Sequence, residues 1–394
     1  MLLDSPRTFI DVTQSVDSGK FTGVERMVRG MVHVLRSGDA HMVPVAWDPW
    51  LRSFCRLRSA EKERLASRKA VGETPTEKPE GPAWKLWVRR RSRPLGRWFR
   101  RVSWHPGDLL VLPEPMPDSR LLGLERKEAL SRSIAVCHDV IPWEMAQKNN
   151  TQVPAWFDRY LRALAKTRRV ICISQETETR LRDAWSFVGV KGTATSVVPW
   201  PVPFEEERPR HVPPADSRRI LCVSSINERK NHSALIDAAK ILKEREIPFE
   251  IILVGREGKG AGMLVGEIME ARAQGLPVLW RRHISDEELR LEYERCAFTV
   301  LPSLMEGFGL PILESLWHHR PCLCHDEGAM LEIAQGGGCL TLDMRNHREL
   351  ADTITRLLAD RAELERLAQE ATQRSFRTWA DWHREFLAVT QLTV

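Results

Sequence analysis

The sequence predicts an α/β protein of two domains, each a parallel sheet covered by helices on both faces. Three observations predict it. Short apolar runs alternate with amphipathic helical stretches along most of the chain. A charged, Pro-rich stretch, Phe204–Arg219 (FEEERPRHVPPADSRR), lacks apolar periodicity and reads as a linker, and the alternation restarts after it. The length of 394 residues suits two domains of ordinary size.

The first strand is predicted at Arg7–Thr13 (RTFIDVT), followed by a polar loop with glycines, QSVDSGKFTG. A helix follows over Val24–Leu35, with apolar residues at 24, 27, 28, 31, 32, 34 and 35 forming a stripe. Strand, Gly loop and helix are the opening of a Rossmann-like unit. Further strands are predicted at Met42–Ala46, Leu109–Leu112, Ser133–His138, Arg169–Ile173 and Ser196–Pro199, with helices at Trp156–Lys166 and Gln175–Ala184. After the linker the strands are Ile220–Ser224, Phe249–Val254, Val278–Trp280 and Ala297–Leu301, and the helices Asn231–Lys243 and Leu310–His319. Ser285-Asp-Glu-Glu288 has the spacing of a capping box, and Trp379–Val389 is an amphipathic helix. The expected boundaries are a first domain over 1–203, with an insert at about 50–105, a linker over 204–218 and a second domain over 219–375. A terminal helix over 376–394 is expected to return to the first domain. Paired α/β domains of this kind usually carry their site in the cleft where they face each other, at the carboxyl ends of strands.

Composition narrows the class. Apolar residues are 42% and charged residues 28%, a globular balance with no apolar run of 18 or more residues. The N-terminal stretch carries Asp4, Pro6 and Arg7 and does not read as a secretory signal. The eight cysteines are scattered without a C-x-x-C pair, which reads as reduced, buried thiols of a cytoplasmic protein.

The most informative segment is Pro302–Ser315, PSLMEGFGLPILES, at the end of the strand run AFTVL. Gly307 and Gly309 allow close backbone approach, Pro311 suits a first helical turn, and a helix N-terminus there offers unpaired N–H groups to a phosphate. Glu306 and Glu314 bracket this cradle, and a carboxylate can accept two hydroxyls of a ribose or hexose. Glu, seven residues, Glu, with GFGLP between, resembles the donor-site signature of the retaining GT-B glycosyltransferases of family 4. The resemblance implies Gly307, Phe308, Gly309, Leu310 and Glu314 as donor-binding residues and Glu306 as catalytic. A second motif, Asn227-Glu-Arg-Lys-Asn231, places Arg229 and Lys230 between a strand end and a helix start. Two fixed cations there could neutralise a diphosphate as charge grows on it in the transition state. The family sets an Arg and a Lys here against the donor diphosphate. Where many members carry Gly-Arg a few residues earlier this chain has Ser224 and Ser225, so Arg229 substitutes. No D-x-D occurs, so no metal on the diphosphate and no cofactor is expected.

In the first half, Thr22-Gly23-Val24-Glu25-Arg26 ends the N-terminal loop. The resemblance implies that this loop, with Gly23, lies near the donor phosphates. Arg26 is an acceptor-side candidate or a structural ion-pair partner. His138-Asp139 closes the strand SIAVCHD; the family places a His here near the reacting centre, and Asp139 is an acceptor-side or orienting carboxylate. Ser174 in VICISQET is an N-cap. The family's Pro-x-Gly after 196–199 is replaced by PWPVP.

The resemblance is absent from about 50 to 105. From Trp84 to Arg101 there are seven Arg, one Lys and no acid, interleaved with Trp and Phe. Glu61–Gly81 before it reads as flexible. Basic and aromatic residues over Trp84–Trp104 suit an anionic membrane surface, which would make the protein peripheral on the inner face of the cytoplasmic membrane. A basic loop or flap over the acceptor groove, and single-stranded nucleic acid, are the other readings. The expected activity is metal-independent, retaining transfer of a hexose from a UDP-, GDP- or dTDP-sugar to a glycan or lipid-linked acceptor. A non-catalytic module of the same fold, and a nucleotide-sugar epimerase or hydrolase, are the alternatives.

Overall fold

The computed structural model describes residues 6–17, 23–38, 42–66, 98–117, 119–126, 129–204, 208–209, 216–258 and 260–391. The chain divides into two compact units, Met1–Trp200 with Trp379–Val394, and Pro201–Thr378.

The first unit is built on a seven-stranded sheet, β3-β2-β1-β4-β5-β6-β7. Its strands are β1 (Thr8–Asp11), β2 (Met42–Asp48), β3 (Ser53–Arg56), β4 (Leu109–Leu112), β5 (Ser133–Cys137), β6 (Arg169–Cys172) and β7 (Thr195–Val197). All neighbours pair in parallel except β2 and β3, which form an antiparallel hairpin at one edge. Thr8–Asp11 is buried throughout, as a central parallel strand covered on both faces requires. The helices are α1 (Thr13–Asp17), α2 (Gly23–Gly38), α3 (Ser59–Ala66), α4 (Arg120–Arg126), α5 (Ile141–Lys148), α6 (Ala155–Leu164) and α7 (Gln175–Phe187). Ser174 caps α7 by accepting from the Thr177 N–H at 3.0 Å.

The second unit holds an all-parallel six-stranded sheet, β10-β9-β8-β11-β12-β13. Its elements alternate: β8 (Arg219–Val223), α8 (His232–Glu244), β9 (Glu250–Val254), α9 (Gly262–Ala273), β10 (Val278–Arg281), α10 (Asp286–Arg295), β11 (Phe298–Leu301), α11 (Leu310–Trp317), β12 (Cys322–His325), α12 (Gly328–Ala334), β13 (Cys339–Leu342), α13 (His347–Ala359) and α14 (Arg361–Gln373). The capping box at Ser285 and Glu288 is formed in both directions. Part of the expected linker is docked on this unit: Arg208 donates to the carbonyls of Trp317 at 3.0 Å and Leu316 at 2.6 Å.

The last helix, α15 (Trp379–Thr390), belongs to the first unit and lies on α2. Gly30 makes this possible, because a Cβ there would stand 2.1 Å from the Trp379 ring. Trp382 and Phe386 are buried beneath it and stack at 4.8 Å.

Several expectations need correction. Thr13 was expected to end the first strand and residues 14–17 to lie in the polar loop, but Thr13–Asp17 form α1, where the Asp11 carboxylate accepts from the Thr13 N–H at 3.0 Å. Glu61–Gly81 was expected to be flexible; its first residues, to Ala66, complete α3, and the rest lies outside the described residues. Of the Trp/Arg insert Trp84–Trp104 only 98–104 is described. There Arg101 bridges to Cys55 of β3, and Trp104 packs edge-on against Phe9 at 4.9 Å, inside the unit rather than outward. Trp98 and Phe99 are exposed. All eight cysteines are free, and all but Cys339 are buried.

Candidate functional site

Strand order reverses between β8 and β11, and a crevice outside the carboxyl ends of two such strands is where open α/β sheets take ligands. Both sequence motifs lie here. After β8 the chain makes a 3₁₀ turn over Glu228–Lys230, then Asn231 adopts a left-handed conformation (φ 51°) and α8 begins. Gly255, at the end of β9, lets the strands close up: a Cβ on it would stand 2.0 Å from the Ser224 carbonyl oxygen. After β11, Gly309 takes φ +108°, and Pro311 lies in the first turn of α11. A side chain at Gly309 would be strained whatever the space around it.

The two motifs are tied together by charge. Lys230 donates its ammonium hydrogen to Glu306 Oε1, and Arg229 Nη1 donates to Glu306 Oε2 at 3.1 Å. Arg229 also donates to the Met305 carbonyl at 2.9 Å, and the Leu304 N–H returns a bond to the Arg229 carbonyl at 3.0 Å. Glu306 and Lys230 are each 10% exposed at the side chain and Arg229 is 29% exposed. Burial works to raise the Glu306 pKa, but Lys230 and Arg229 outweigh it and hold the carboxyl at about 2. Burial also draws the Lys230 ammonium below its ordinary value, against the attraction of Glu306. Two cations thus share one carboxylate beside a helix start, a local excess of positive charge suited to an anion.

Glu314 lies in α11, is 5% exposed, and accepts from the Tyr293 hydroxyl at 3.0 Å. Phe308 is buried at 7% exposure, Gly307 is half-buried, and Leu310 opens α11.

In the first unit, His138 follows β5 and is 5% exposed. Its Nε2 lies 2.6 Å from the Pro113 carbonyl oxygen, so Nε2 carries the proton and donates. The ring stacks on Trp200 at 5.8 Å, and Trp200 in turn stacks on Trp382 at 5.3 Å. Burial pushes the His138 pKa down, against the Pro113 carbonyl and Asp139, so the imidazole is neutral. Asp139 accepts from the Ile141 N–H at 3.1 Å, at the start of α5. Gly23 is the first residue of α2, and Arg26 is half-buried in its first turn.

Sequence reasoning passed over a buried charge cluster at the corresponding reversal of the first sheet, between β1 and β4. Arg120 Nη1 donates to Asp11 Oδ2 at 2.7 Å and lies 3.7 Å from Glu114. Glu114 accepts from the Gln14 and Ser15 N–H groups at 2.6 and 2.8 Å, which pins α1 at the strand ends. Burial and the charge of Asp11 raise the Glu114 pKa to about 7. The available signal was the Glu two residues after the strand LLVL, in LPEP.

Among the described residues one group gathers its atoms closely enough for a metal ion, His325, Asp326 and Glu327, all within 4.8 Å of one another. Arg345 already pairs with Glu327 at 2.7 Å. No helix among the described residues is long and apolar enough to cross a membrane.

Residues 203–374 match the family described as Glycosyl transferases group 1. The serotype-specific mannosyltransferase WbdA of Escherichia coli is 28% identical over 116 residues, 29% of this chain and 14% of that protein. The chain therefore spans well under two thirds of that relative. Sucrose-phosphate synthase of Thermosynechococcus elongatus superposes with a TM-score of 0.68 at 18% identity, over 98% of this chain and 99% of the other. Anabaena HepE in complex with UDP and glucose gives 0.66 at 15% identity, over 99% and 100%. The structural likenesses establish the architecture of the two units. The two units have the GT-B fold, and residues 203–374 are similar to the group 1 glycosyl transferases.

Proposed function

We propose that this chain is a retaining, metal-independent hexosyltransferase that binds a UDP-, GDP- or dTDP-linked sugar in its second unit and passes the hexose to a glycan or lipid-linked acceptor. The observation that carries the reading is Glu306 held by Lys230 and Arg229 at the strand-order reversal, beside the start of α11. Two relatives support it by what they are called or hold: WbdA is named a mannosyltransferase, and the HepE structure contains UDP and glucose.

The chemistry follows from the charges. The bond from the anomeric carbon to the phosphate oxygen breaks, and its electron pair stays on the diphosphate. Lys230, Arg229 and the N–H groups at the start of α11 stabilise that growing charge in place of a metal ion. Glu306 faces the donor sugar, and Glu314 takes the ribose hydroxyls. The acceptor oxygen bonds to the anomeric carbon on the face the phosphate leaves, and its proton passes to the departing diphosphate. His138, held neutral with its proton on Nε2, is the first unit's candidate catalytic residue, with Asp139, Gly23 and Arg26 as its other candidates.

Release of nucleoside diphosphate from a panel of nucleotide sugars, in EDTA, tests the reading. Glu306→Gln and His138→Ala are expected to lose release, with nucleotide binding retained by His138→Ala. Full release by both variants would show that the site is wrong. Free sugar or an epimerised donor as sole product would move the assignment to a hydrolase or epimerase. Trp98 and Phe99, exposed beside Arg100 and Arg101, support attachment of the insert to an anionic membrane. Failure to co-sediment with anionic liposomes at low salt would refute it.

A further inference from the structure

Glu314 is a buried carboxylate, and a buried carboxylate needs fixed donors to keep one orientation. The Tyr293 hydroxyl supplies one at 3.0 Å. Tyr293 itself is fully buried near the end of α10 and is one of only two tyrosines in the chain. Its ring is set from two sides. The His318 imidazole lies flat on it, with centroids 4.8 Å apart and planes 6° from parallel. Arg320, also fully buried, donates to the Tyr293 carbonyl at 2.6 Å and to the Glu294 carbonyl at 2.7 Å, capping the last turn of α10. Ser315, beside Glu314, donates to the Arg320 carbonyl at 2.9 Å and closes the loop back to α11. The helix carrying the phenol is anchored further up: Glu292, next to Tyr293, is 3% exposed and pairs with Arg281 at 2.7 Å and Arg219 at 3.3 Å, from β10 and β8. The phenol therefore has one direction, towards the Glu314 carboxylate.

We propose that Tyr293 is a positioning residue of the nucleoside subsite: its hydroxyl fixes the Glu314 carboxylate in the orientation that receives a cis-diol, and so sets a preference for a ribonucleotide over its 2′-deoxy counterpart. This rests on the reading of Glu314 as the carboxylate that takes the ribose hydroxyls, and it narrows the proposed donors to the UDP- and GDP-linked sugars. Phenylalanine would fill the same volume and keep the stack on His318. Without the hydroxyl the carboxylate loses this donor and with it part of its hold on the diol. The loss falls on ligands that engage both hydroxyls, whereas a merely structural role for Tyr293 would weaken all nucleotides alike.

Calorimetric titration of UDP against dUDP, and of GDP against dGDP, tests it on the full chain. Wild type is expected to prefer the ribonucleotide of its accepted base by about tenfold, the scale of a hydrogen bond to a charged group. Tyr293→Phe should lose about tenfold in affinity for that ribonucleotide and less than about twofold for the deoxy form. Glu314→Gln should show the same pattern, and the double variant should lose no more than either single variant. Unchanged binding by Tyr293→Phe, an equal loss for both ligands, or additive losses overturns the inference while Glu314 keeps its role. A wild type that binds nucleotide without discriminating overturns the ribose reading and the inference together. Should Tyr293→Phe fail to fold, fluorotyrosine in a Tyr160→Phe chain labels Tyr293 alone. Its ¹⁹F resonance should shift more with the ribonucleotide than with the deoxy form, and equal shifts overturn the inference.

Discussion

Replacing Glu306 by Gln keeps the side-chain volume and removes the charge that faces Lys230 and Arg229. The size of the effect follows from ionisation. The interval between an ordinary carboxyl at 4.5 and this one at about 2 is worth about 3 kcal/mol at neutral pH. The folded pKa is depressed, so this stability is fully present above the unfolded value of 4.5 and is lost as pH falls from there towards 2. Two cations left without their carboxylate add to the cost in the variant. Urea unfolding, followed by tryptophan fluorescence, should find Glu306→Gln less stable by about 3 kcal/mol at pH 7. The gap should narrow as pH is lowered below 4.5. The same variant should bind a nucleoside diphosphate at least as tightly as wild type, because Lys230 and Arg229 are released to it, while turnover is lost. A stability difference within about 0.5 kcal/mol at pH 7, the range of an ordinary surface substitution, would refute the reasoning.

Other perturbations have equally definite outcomes. Lys230→Ala, at the buried cation, should weaken nucleoside diphosphate binding by more than about tenfold, and Arg229→Ala, at the more exposed one, by less; calorimetry gives the order, and the reverse order would reassign the diphosphate contact. Gly30→Ala should destabilise by about 1–3 kcal/mol in thermal unfolding, because the added Cβ meets the Trp379 ring at 2.1 Å. Helix propensity alone predicts the opposite sign, about 1 kcal/mol of stabilisation, so the direction of the Tm change decides between them. Burial holds His232 at about 4 and His318 at about 3, both below an ordinary 6.5. The unfolded chain takes up these protons first, so stability should decline as pH falls below 6.5, and His318→Gln should flatten that slope.

Features set by neighbouring residues were legible in the sequence. The capping box at Ser285 needs only a Ser and a Glu three positions on, and the N-cap at Ser174 only its own turn. Apolar runs marked β1, β4, β5 and β8 to within a residue or two, since central parallel strands are apolar on both faces. The helix start after Gly309, with Pro311 in its first turn, was legible because these residues are consecutive. Features that depend on distant partners were not. Nothing near Tyr293 announces that its hydroxyl meets Glu314, 21 positions on, nor does Asp11 announce Arg120, 109 positions on. The edge strand β3 is four residues with no run to mark it, and it exists because β2 and the segment through Arg101 pair with it. Nothing in the stripe Val24–Leu35 announces that Gly30 meets Trp379.

The central claim is that the second unit holds a nucleoside diphosphate with Lys230, Arg229 and a helix start, without a metal ion. Calorimetric titration of UDP, GDP, dTDP and ADP into the chain, each with and without EDTA, tests it most directly. The account predicts that one of these nucleotides binds tightly, that EDTA leaves the affinity unchanged, and that Lys230→Ala weakens it by more than about tenfold. Binding that vanishes in EDTA, or no binding of any of the four by folded protein, would contradict it.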